Sequence, residues 1–299
     1  MSAWLISLEG TPAGQHLAMA LALMAAVLHA LFGALQKGRF DPWVTRGAID
    51  ANYGLIAAPL ALFVVPWPEP FMWPIFAGML LIHVTYKVLP AMAYMRGAYT
   101  VVYPVVRGTG PLVTVLIAGV VFSEVYAPLQ WVGVLLLSGG ILGLAAHNLR
   151  FLAVGRDTLV PALGFALATG VMVAAYTTYD AWGIRATADP FTFLAWFFFL
   201  DGVIMPIATA GRIRALPRAD WPALAKLGFG GAIVAFFSFG AVMLATRLDK
   251  VGEAAVLRET STIFAALIGW AVLGEKVGLA RAGLMALIAL GAVVMEFGG

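Results

Sequence analysis

Residues 222–246 read PALAKLGFGGAIVAFFSFGAVMLAT and contain one charged side chain, Lys226. A helix needs about 20 consecutive apolar residues to cross the hydrocarbon core of a bilayer, and this stretch is long enough. The whole chain has the same character, because 62% of its 299 residues are hydrophobic, 11% are charged and the mean hydropathy is +0.95. A soluble domain carries about 25% charged residues. The composition therefore excludes an ordinary globular enzyme and a disordered chain, and it predicts a protein whose helices are buried in lipid.

The charged residues and the cysteine count exclude further classes of protein. The net charge is only +3, and no run of Lys and Arg forms a phosphate-binding stripe, so we expect no nucleic-acid partner. The chain has no cysteine, which excludes disulfides, a thiolate nucleophile and a zinc site with cysteine ligands. The four histidines lack metal-ligand spacing, so we expect no metal and no cofactor.

Ten apolar stretches of this length follow one another, separated by short polar connections. They lie at about 16–36, 47–66, 72–93, 99–121, 129–147, 159–179, 190–210, 222–246, 252–273 and 279–297. The connections leave little room for a domain outside the membrane. We therefore predict an all-α membrane protein of ten transmembrane helices, with its function among the helices.

The second half of the chain echoes the first at an offset of 151 residues. The matching pairs are Arg96 and Arg247, Arg107 and Arg258, Thr109 and Thr260, Glu124 and Glu275, and Gly140 and Gly291. Polar residues are rare in this chain, so identical polar residues at matching positions indicate an internal repeat. The halves, residues 1–149 and 150–299, each hold five spans, and an odd number inverts one half relative to the other. Inverted repeats build a site at their interface near the midplane of transporters, although a stable bundle without transport is the alternative.

This organisation resembles the drug/metabolite transporter superfamily of the EamA type. The family motif near the end of the fourth helix of each repeat is an apolar residue, a small residue and Glu. Leu273-Gly274-Glu275 matches it, and Phe122-Ser123-Glu124 matches it with Ser in place of Gly. The resemblance implies export of amino acids and other metabolites across the plasma membrane, the inner membrane of a bacterium. The chain looks most like the amino-acid exporter branch, which includes aromatic amino-acid exporters, but it has Thr260-Ser261-Thr262 where many relatives have Pro.

Charged residues inside the spans point to a substrate site, because a charge at the centre of a membrane helix costs roughly 2.5–3.5 kcal/mol. In the third span His83 and Lys87 are four residues apart on one face, and Tyr86 flanks that face. This spacing predicts a water-filled cavity. A Lys87 side chain that reaches the membrane interface is the alternative.

The fourth span places Tyr99, Tyr103 and Arg107 at four-residue spacing on one face. The guanidinium of Arg107 has the geometry to bind a carboxylate through two hydrogen bonds, as an amino-acid substrate would require. A structural ion pair or a helix-end anchor is an equal alternative, because Arg258 occupies the equivalent position of the second half.

Other spans offer aromatic and polar residues for the same cavity. Tyr176 and Tyr179 share a face of the sixth span with Asp180, for which a position at the interface is slightly favoured. His29 is either a hydrogen-bonded core residue or a titrating group. Phe237 would add an apolar wall from the eighth span.

Two carboxylates within spans, Glu259 and Asp201, are the candidates for coupling transport to protons. Enzymes are not indicated, because the chain lacks the H-E-x-x-H, G-x-S-x-G and Walker motifs and shows no convergent nucleophile and base. The sequence therefore predicts a secondary transporter of small molecules in the lipid bilayer, for which an oligomer is not required. A channel, a scramblase or an exporter of another metabolite or drug is the alternative.

The orientation of the chain is open. Odd-numbered connections hold 11 Lys and Arg residues and even-numbered connections hold 3, with the other 4 of the 18 inside spans. The positive-inside rule then places the odd connections in the cytoplasm and both termini outside. The resemblance implies the opposite, because relatives more commonly keep both termini inside.

Overall fold

The computed structural model describes residues 2–36, 40–96, 99–150, 156–273 and 278–299, which are helical and contain no strand. The helices are α1 (Ser2–Ser7), α2 (Pro12–Gln36), α3 (Pro42–Pro59), α4 (Met72–Tyr94), α5 (Tyr99–Val121), α6 (Pro128–Leu149), α7 (Arg156–Ala186), α8 (Pro190–Arg214), α9 (Trp221–Leu248), α10 (Val251–Glu259), α11 (Ser261–Leu273) and α12 (Leu279–Phe297). A π-helical turn, Leu60–Val64, extends α3, and a 3₁₀ turn, Arg218–Asp220, precedes α9.

Nine helical segments of the described chain are long and apolar enough to cross a membrane. They correspond to predicted spans one to eight and ten, so the chain is a multi-pass, all-helical membrane protein. The predicted ninth span, 252–273, is not one continuous helix. It consists of two shorter helices, α10 and α11, and a total of ten spans requires counting these two together.

The break between α10 and α11 follows from a run of hydroxyl side chains. The hydroxyl and the amide of Thr260 both donate to the carbonyl of Leu257, at 2.6 and 3.1 Å, which tightens the turn. The hydroxyl of Thr262 donates to the carbonyl of Glu259 at 3.0 Å. Serine and threonine compete in this way with the regular helical hydrogen bonds. The helix is therefore interrupted directly after two buried charged residues, Arg258 and Glu259.

Helices of the first half pack against helices of the second half. The main pairs are α2 with α9, α3 with α8, α4 with α7, α5 with α7, and α6 with α12. A Cβ atom on Gly202 would lie 2.5 Å from the Cα of Gly54, and one on Gly291 would lie 2.4 Å from the amide of Leu137. Small residues at such crossings let helices approach closely in lipid. The two halves are therefore interlocked along their length.

Candidate functional site

A cavity of about 340 Å³ opens between helices of both halves. It is lined by His29, Phe32, Gly33, Pro42, Trp43, Arg46, Tyr86, Lys87, Pro90, Tyr103, Val106, Arg107, Thr169, Val173, Met205 and Phe239. Small-molecule sites have volumes of roughly 300–1,000 Å³ and combine an apolar wall with a few polar groups. Pro42 is exposed at the first residue of α3, so the cavity extends to the end of the bundle where α3 begins. We call this the cavity end.

Lys87 is the centre of an ionic network beside the cavity. Its Nζ donates to Oδ2 of Asp50 at 2.8 Å and to both carboxylate oxygens of Asp201 at 2.8 and 2.9 Å. Nε of Arg46 lies 2.7 Å from Oδ1 of Asp50, and the hydroxyl of Tyr53 donates to Asp201. Lys87 is only 9% exposed and therefore does not reach the interface. The network joins α3, α4 and α8.

A second network forms at the break after α10. Nη1 of Arg107 donates to the two carboxylate oxygens of Glu259 at 3.0 and 3.2 Å, and Nε of Arg258 donates to the same carboxylate at 3.3 Å. The guanidinium of Arg107 also stands 5.2 Å from the ring centre of Tyr103. The sequence predicts two alternatives for Arg107, a structural ion pair and a place in the substrate cavity. The side chain makes a buried ion pair and also lines the cavity.

His83 forms a further buried polar pair behind the cavity wall. Its Nε2 lies 2.9 Å from Oδ2 of Asp180, and its ring stands 5.1 Å from the ring of Tyr176. Tyr176 in turn contacts Tyr86 at 4.7 Å between ring centres. Asp180 is 3% exposed, so its carboxylate faces the interior of the bundle and not the outside. Its bond to His83 supplies the partner that a buried carboxylate needs.

The predicted site residues fall into three groups. Those that line the cavity are His29, Tyr86, Lys87, Tyr103 and Arg107. Those that are buried but do not line the cavity are His83, Tyr176, Arg258, Asp201 and Glu259. Those that the structure does not bring to the cavity are Tyr179 and Phe237, while the side chain of Tyr99 lies outside the described residues.

The prediction for Phe237 needs correction, because its ring is 55% exposed on the outer face of α9. Phe239 lines the cavity instead. Two residues apart on a helix point about 200° away from each other, so only one of the two can face inward. Tyr179 is also set aside, since its hydroxyl donates to the carbonyl of Ile75 at 3.2 Å.

Three residues of the site are absent from the sequence prediction: Arg46, Asp50 and Tyr53, all on α3. The sequence places Arg46 in the first connection, but α3 begins at Pro42 and carries Arg46 inside the bundle. The signal was available, because Arg46 and Asp50 have the four-residue spacing of a helical ion pair and Asp50 lies within an apolar span.

The opposite end of the bundle is closed by hydrogen bonds around Glu124. Its carboxylate accepts from the amides of Val251 and Gly252, at 2.9 and 3.3 Å, and from Nη2 of Arg185 at 3.3 Å. The hydroxyl of Tyr126 donates to it as well. Burial and this bond raise the pKa of Tyr126, so its hydroxyl stays protonated as a donor. We call the arrangement around Glu124 and Arg185 the closed end.

Main-chain acceptors reinforce the closed end. Arg185 donates to the carbonyls of Thr246 and Asp249 at 2.8 and 2.7 Å. Arg247 donates to Oε1 of Glu9 at 2.6 Å and to the carbonyl of Thr187 at 2.6 Å. These bonds tie together the ends of α7 and α9 and the segment before α2.

The residue before Glu124 adopts an unusual backbone conformation. Ser123 has a φ of +55°, in the left-handed region that favours glycine. This turn directs Glu124 back to the start of α10, and it accounts for a small residue in the motif at this position. The matching Gly274 and Glu275 lie outside the described residues.

Comparisons with known proteins agree with this architecture. A solved crystal structure of another protein has the same fold, with a TM-score of 0.75 over 96% of this chain and 99% of its own, at 20% sequence identity. A search of curated proteins found no matching sequence. Residues 160–297 match the sequence profile of the EamA-like transporter family. The second half of the chain therefore carries an EamA-like transporter domain, which supports the drug/metabolite transporter superfamily and a membrane transporter of small molecules rather than an enzyme.

Proposed function

We propose that the whole chain is an EamA-type secondary transporter that exports amino acids, aromatic or other apolar ones among them, and similar small metabolites by alternating access. The observation that carries this proposal is the cavity, which has an aromatic wall and cationic side chains and extends to one end of the bundle. The closed end around Glu124 lies opposite. A site that is accessible from one side only is what a carrier requires and an open channel lacks.

The packing of the helices supports two inverted repeats, residues 1–149 and 150–299. In this scheme α2 to α6 are the first repeat, and α7, α8, α9, the α10–α11 pair and α12 are the second. If the two repeats are related by symmetry, the contact between α2 and α9 has a counterpart between α7 and α4. The contacts of α3 with α8 and of α6 with α12 each join two equivalent helices. All four contacts exist in the bundle. Arg107 and Arg258, which are equivalent in this scheme, also bind the same carboxylate.

The broken ninth span supports movement at this site. Discontinuous helices at the substrate site are common in transporters with inverted repeats. The break follows Glu259 directly, so a change in the turn at Thr260 would move the partner of Arg107.

Glu259 and Asp201 remain our proposals for proton coupling. Both are buried and both are held by cations, Glu259 by two arginines and Asp201 by Lys87. Transport that does not respond to a pH gradient across the vesicle membrane would exclude this coupling.

We propose a plasma-membrane location with the cavity end in the cytoplasm. The helix α3 begins at the cavity end, and the connection before it is the first of the odd-numbered connections, which are rich in Lys and Arg. The cavity would then receive substrate from the side where an exporter loads it. A tag fused after Gly299 and active only outside the cytoplasm supports this orientation. A tag active only in the cytoplasm, with the 212–218 connection labelled from outside, contradicts it.

The experiment that tests the proposed function is counterflow in liposomes that contain the purified full chain. Vesicles are loaded with unlabelled amino acids or related small metabolites, one at a time, and uptake of the labelled compound is followed. Saturable, exchange-dependent uptake supports a carrier. Unsaturable conductance would indicate a channel, and lipid transfer between leaflets without solute uptake would indicate a scramblase.

A further inference from the structure

The charged side chains around the cavity are arranged by sign. The cations Arg46, Lys87 and Arg107 line the cavity, whereas within the described part of the chain no Asp or Glu does. Their carboxylate partners, Asp50 and Glu259, are fully buried at 0% exposure behind the lining. A molecule in the cavity therefore meets cationic donors first and carboxylates only beyond them.

The two arginines keep donors that the ionic networks do not use. Arg46 contacts Asp50 through Nε, and Arg107 contacts Glu259 through Nη1. Among the described residues, the other guanidinium nitrogens of both side chains make no hydrogen bond, and none of these other nitrogens is enclosed. Each arginine therefore presents an edge to the cavity on which a carboxylate can be bound.

The second network contains two positively charged side chains, Arg107 and Arg258, and one negatively charged side chain, Glu259. Among the described residues, Glu259 is the one carboxylate that forms an ion pair with Arg107 or Arg258. A buried charge without its own partner is costly, and an anion in the cavity beside Arg107 would relieve that cost.

His29 adds a polar group to the same lining. It lines the cavity and is 7% exposed, and its enclosed nitrogen is Nδ1 and not Nε2. In the tautomer with hydrogen on Nε2, it can donate to an oxygen of a bound molecule. Phe32 and Phe239, which flank His29 with ring centres at 6.2 and 5.9 Å, offer an apolar surface to a ring.

We infer, on the basis of the proposed transport function, that the cavity selects carboxylate anions that lack an ammonium group, with aromatic 2-oxo acids as the representative class. The carboxylate binds the open edges of Arg46 and Arg107, the oxo oxygen accepts from His29, and the ring packs on the aromatic wall. A zwitterionic amino acid fits less well, because its ammonium group would face three cationic side chains. The described lining offers no acidic side chain to pair with that ammonium group.

The test compares phenylpyruvate with phenylalanine, which share the ring, the carbon chain and the carboxylate. Counterflow is measured in liposomes with the full chain, alongside the wider panel of compounds used to test transport. We expect saturable uptake of phenylpyruvate with a KM at least tenfold lower than that of phenylalanine, the factor that about 1.4 kcal/mol of discrimination gives. Equal or preferred uptake of phenylalanine overturns this inference and leaves the proposed amino-acid transport intact. If no compound of the panel is carried, both are overturned.

Two variants test the binding mode without leaving a carboxylate unpaired. In Arg46→Gln, Asp50 keeps Lys87 as a partner, and in Arg107→Gln, Glu259 keeps Arg258. Each should raise the KM for phenylpyruvate by about tenfold or more, the loss expected for a hydrogen bond between charged groups. Arg214→Gln, on an exposed arginine, is the matched control and should leave KM unchanged. Unchanged KM values in both cavity variants, with thermal unfolding like that of the control, would overturn the proposed binding mode.

Discussion

The cavity end and the closed end use the same kinds of residue in opposite ways. At the closed end Arg185 donates to two main-chain carbonyls and to Glu124, so its guanidinium holds segments of backbone together. At the cavity end Arg46 and Arg107 each bind a carboxylate through one nitrogen and keep the rest of the guanidinium toward the cavity. The difference shows that the partner, and not the residue type, decides whether an arginine closes a passage or faces a ligand.

The two ends also differ in how their carboxylates are held. Glu124 accepts from amides at the start of α10, where the helix dipole favours a negative charge. Asp50, Asp201 and Glu259 depend on side chains alone for their described partners. The closed end is therefore sensitive to movement of a helix, whereas the cavity end is sensitive to the loss of a cation.

The largest effect is expected from Lys87→Met, which removes the cation shared by Asp50 and Asp201. Breaking a buried ion pair by removing one partner costs about 3–5 kcal/mol, so we expect a marked fall in the thermal unfolding temperature in detergent and loss of transport. Lys226→Met, on an exposed lysine of α9, is the control and should unfold like the wild type. Equal unfolding temperatures for the two variants would show that the cavity network does not stabilise the fold.

An intermediate effect is expected from Glu124→Gln, which keeps the shape of the side chain but removes its charge. Charge-assisted hydrogen bonds contribute about 1.5–3 kcal/mol, so the closed end should open about tenfold or more often. Because the chain has no cysteine, Leu248→Cys provides a single label at this end, where Leu248 is 3% exposed. We expect the maleimide labelling rate to rise by that factor.

The control for Glu124→Gln is a label in the cavity. Gly33→Cys lines the cavity, where an added side chain meets open space, and should react readily with maleimide in both backgrounds. If Glu124→Gln leaves the Leu248→Cys rate unchanged, Glu124 does not hold this end closed.

The smallest effect is expected at the break between α10 and α11. Thr260→Ala removes one hydrogen bond to the carbonyl of Leu257, which is worth about 1 kcal/mol, so we expect a severalfold change in transport rate with little change in unfolding temperature. Thr85→Ala removes a similar bond to the carbonyl of Leu81 in the uninterrupted helix α4. If both variants change the transport rate by the same factor, the break between α10 and α11 has no special role in transport.

Much of the fold could be predicted because a lipid environment allows few choices. Backbone groups must be paired inside each segment, so an apolar stretch of sufficient length becomes a helix. The exception is the ninth span, where composition alone does not reveal that Thr260 and Thr262 would bind main-chain carbonyls. Within the site, Lys87 and Arg107 line the cavity, whereas His83, which shares the four-residue spacing with Lys87, does not.

The sequence by itself determined the class of protein, the apolar helices and the presence of buried charges that need partners, because these follow from composition and helical periodicity. Only the tertiary structure decided that Lys87 pairs with Asp50 and Asp201, from spans 37 and 114 residues away. It also decided that Phe239 rather than Phe237 faces the cavity and that Glu124 closes the opposite end. Partners and inward faces depend on how helices pack and rotate against one another, and periodicity within one helix does not contain that information.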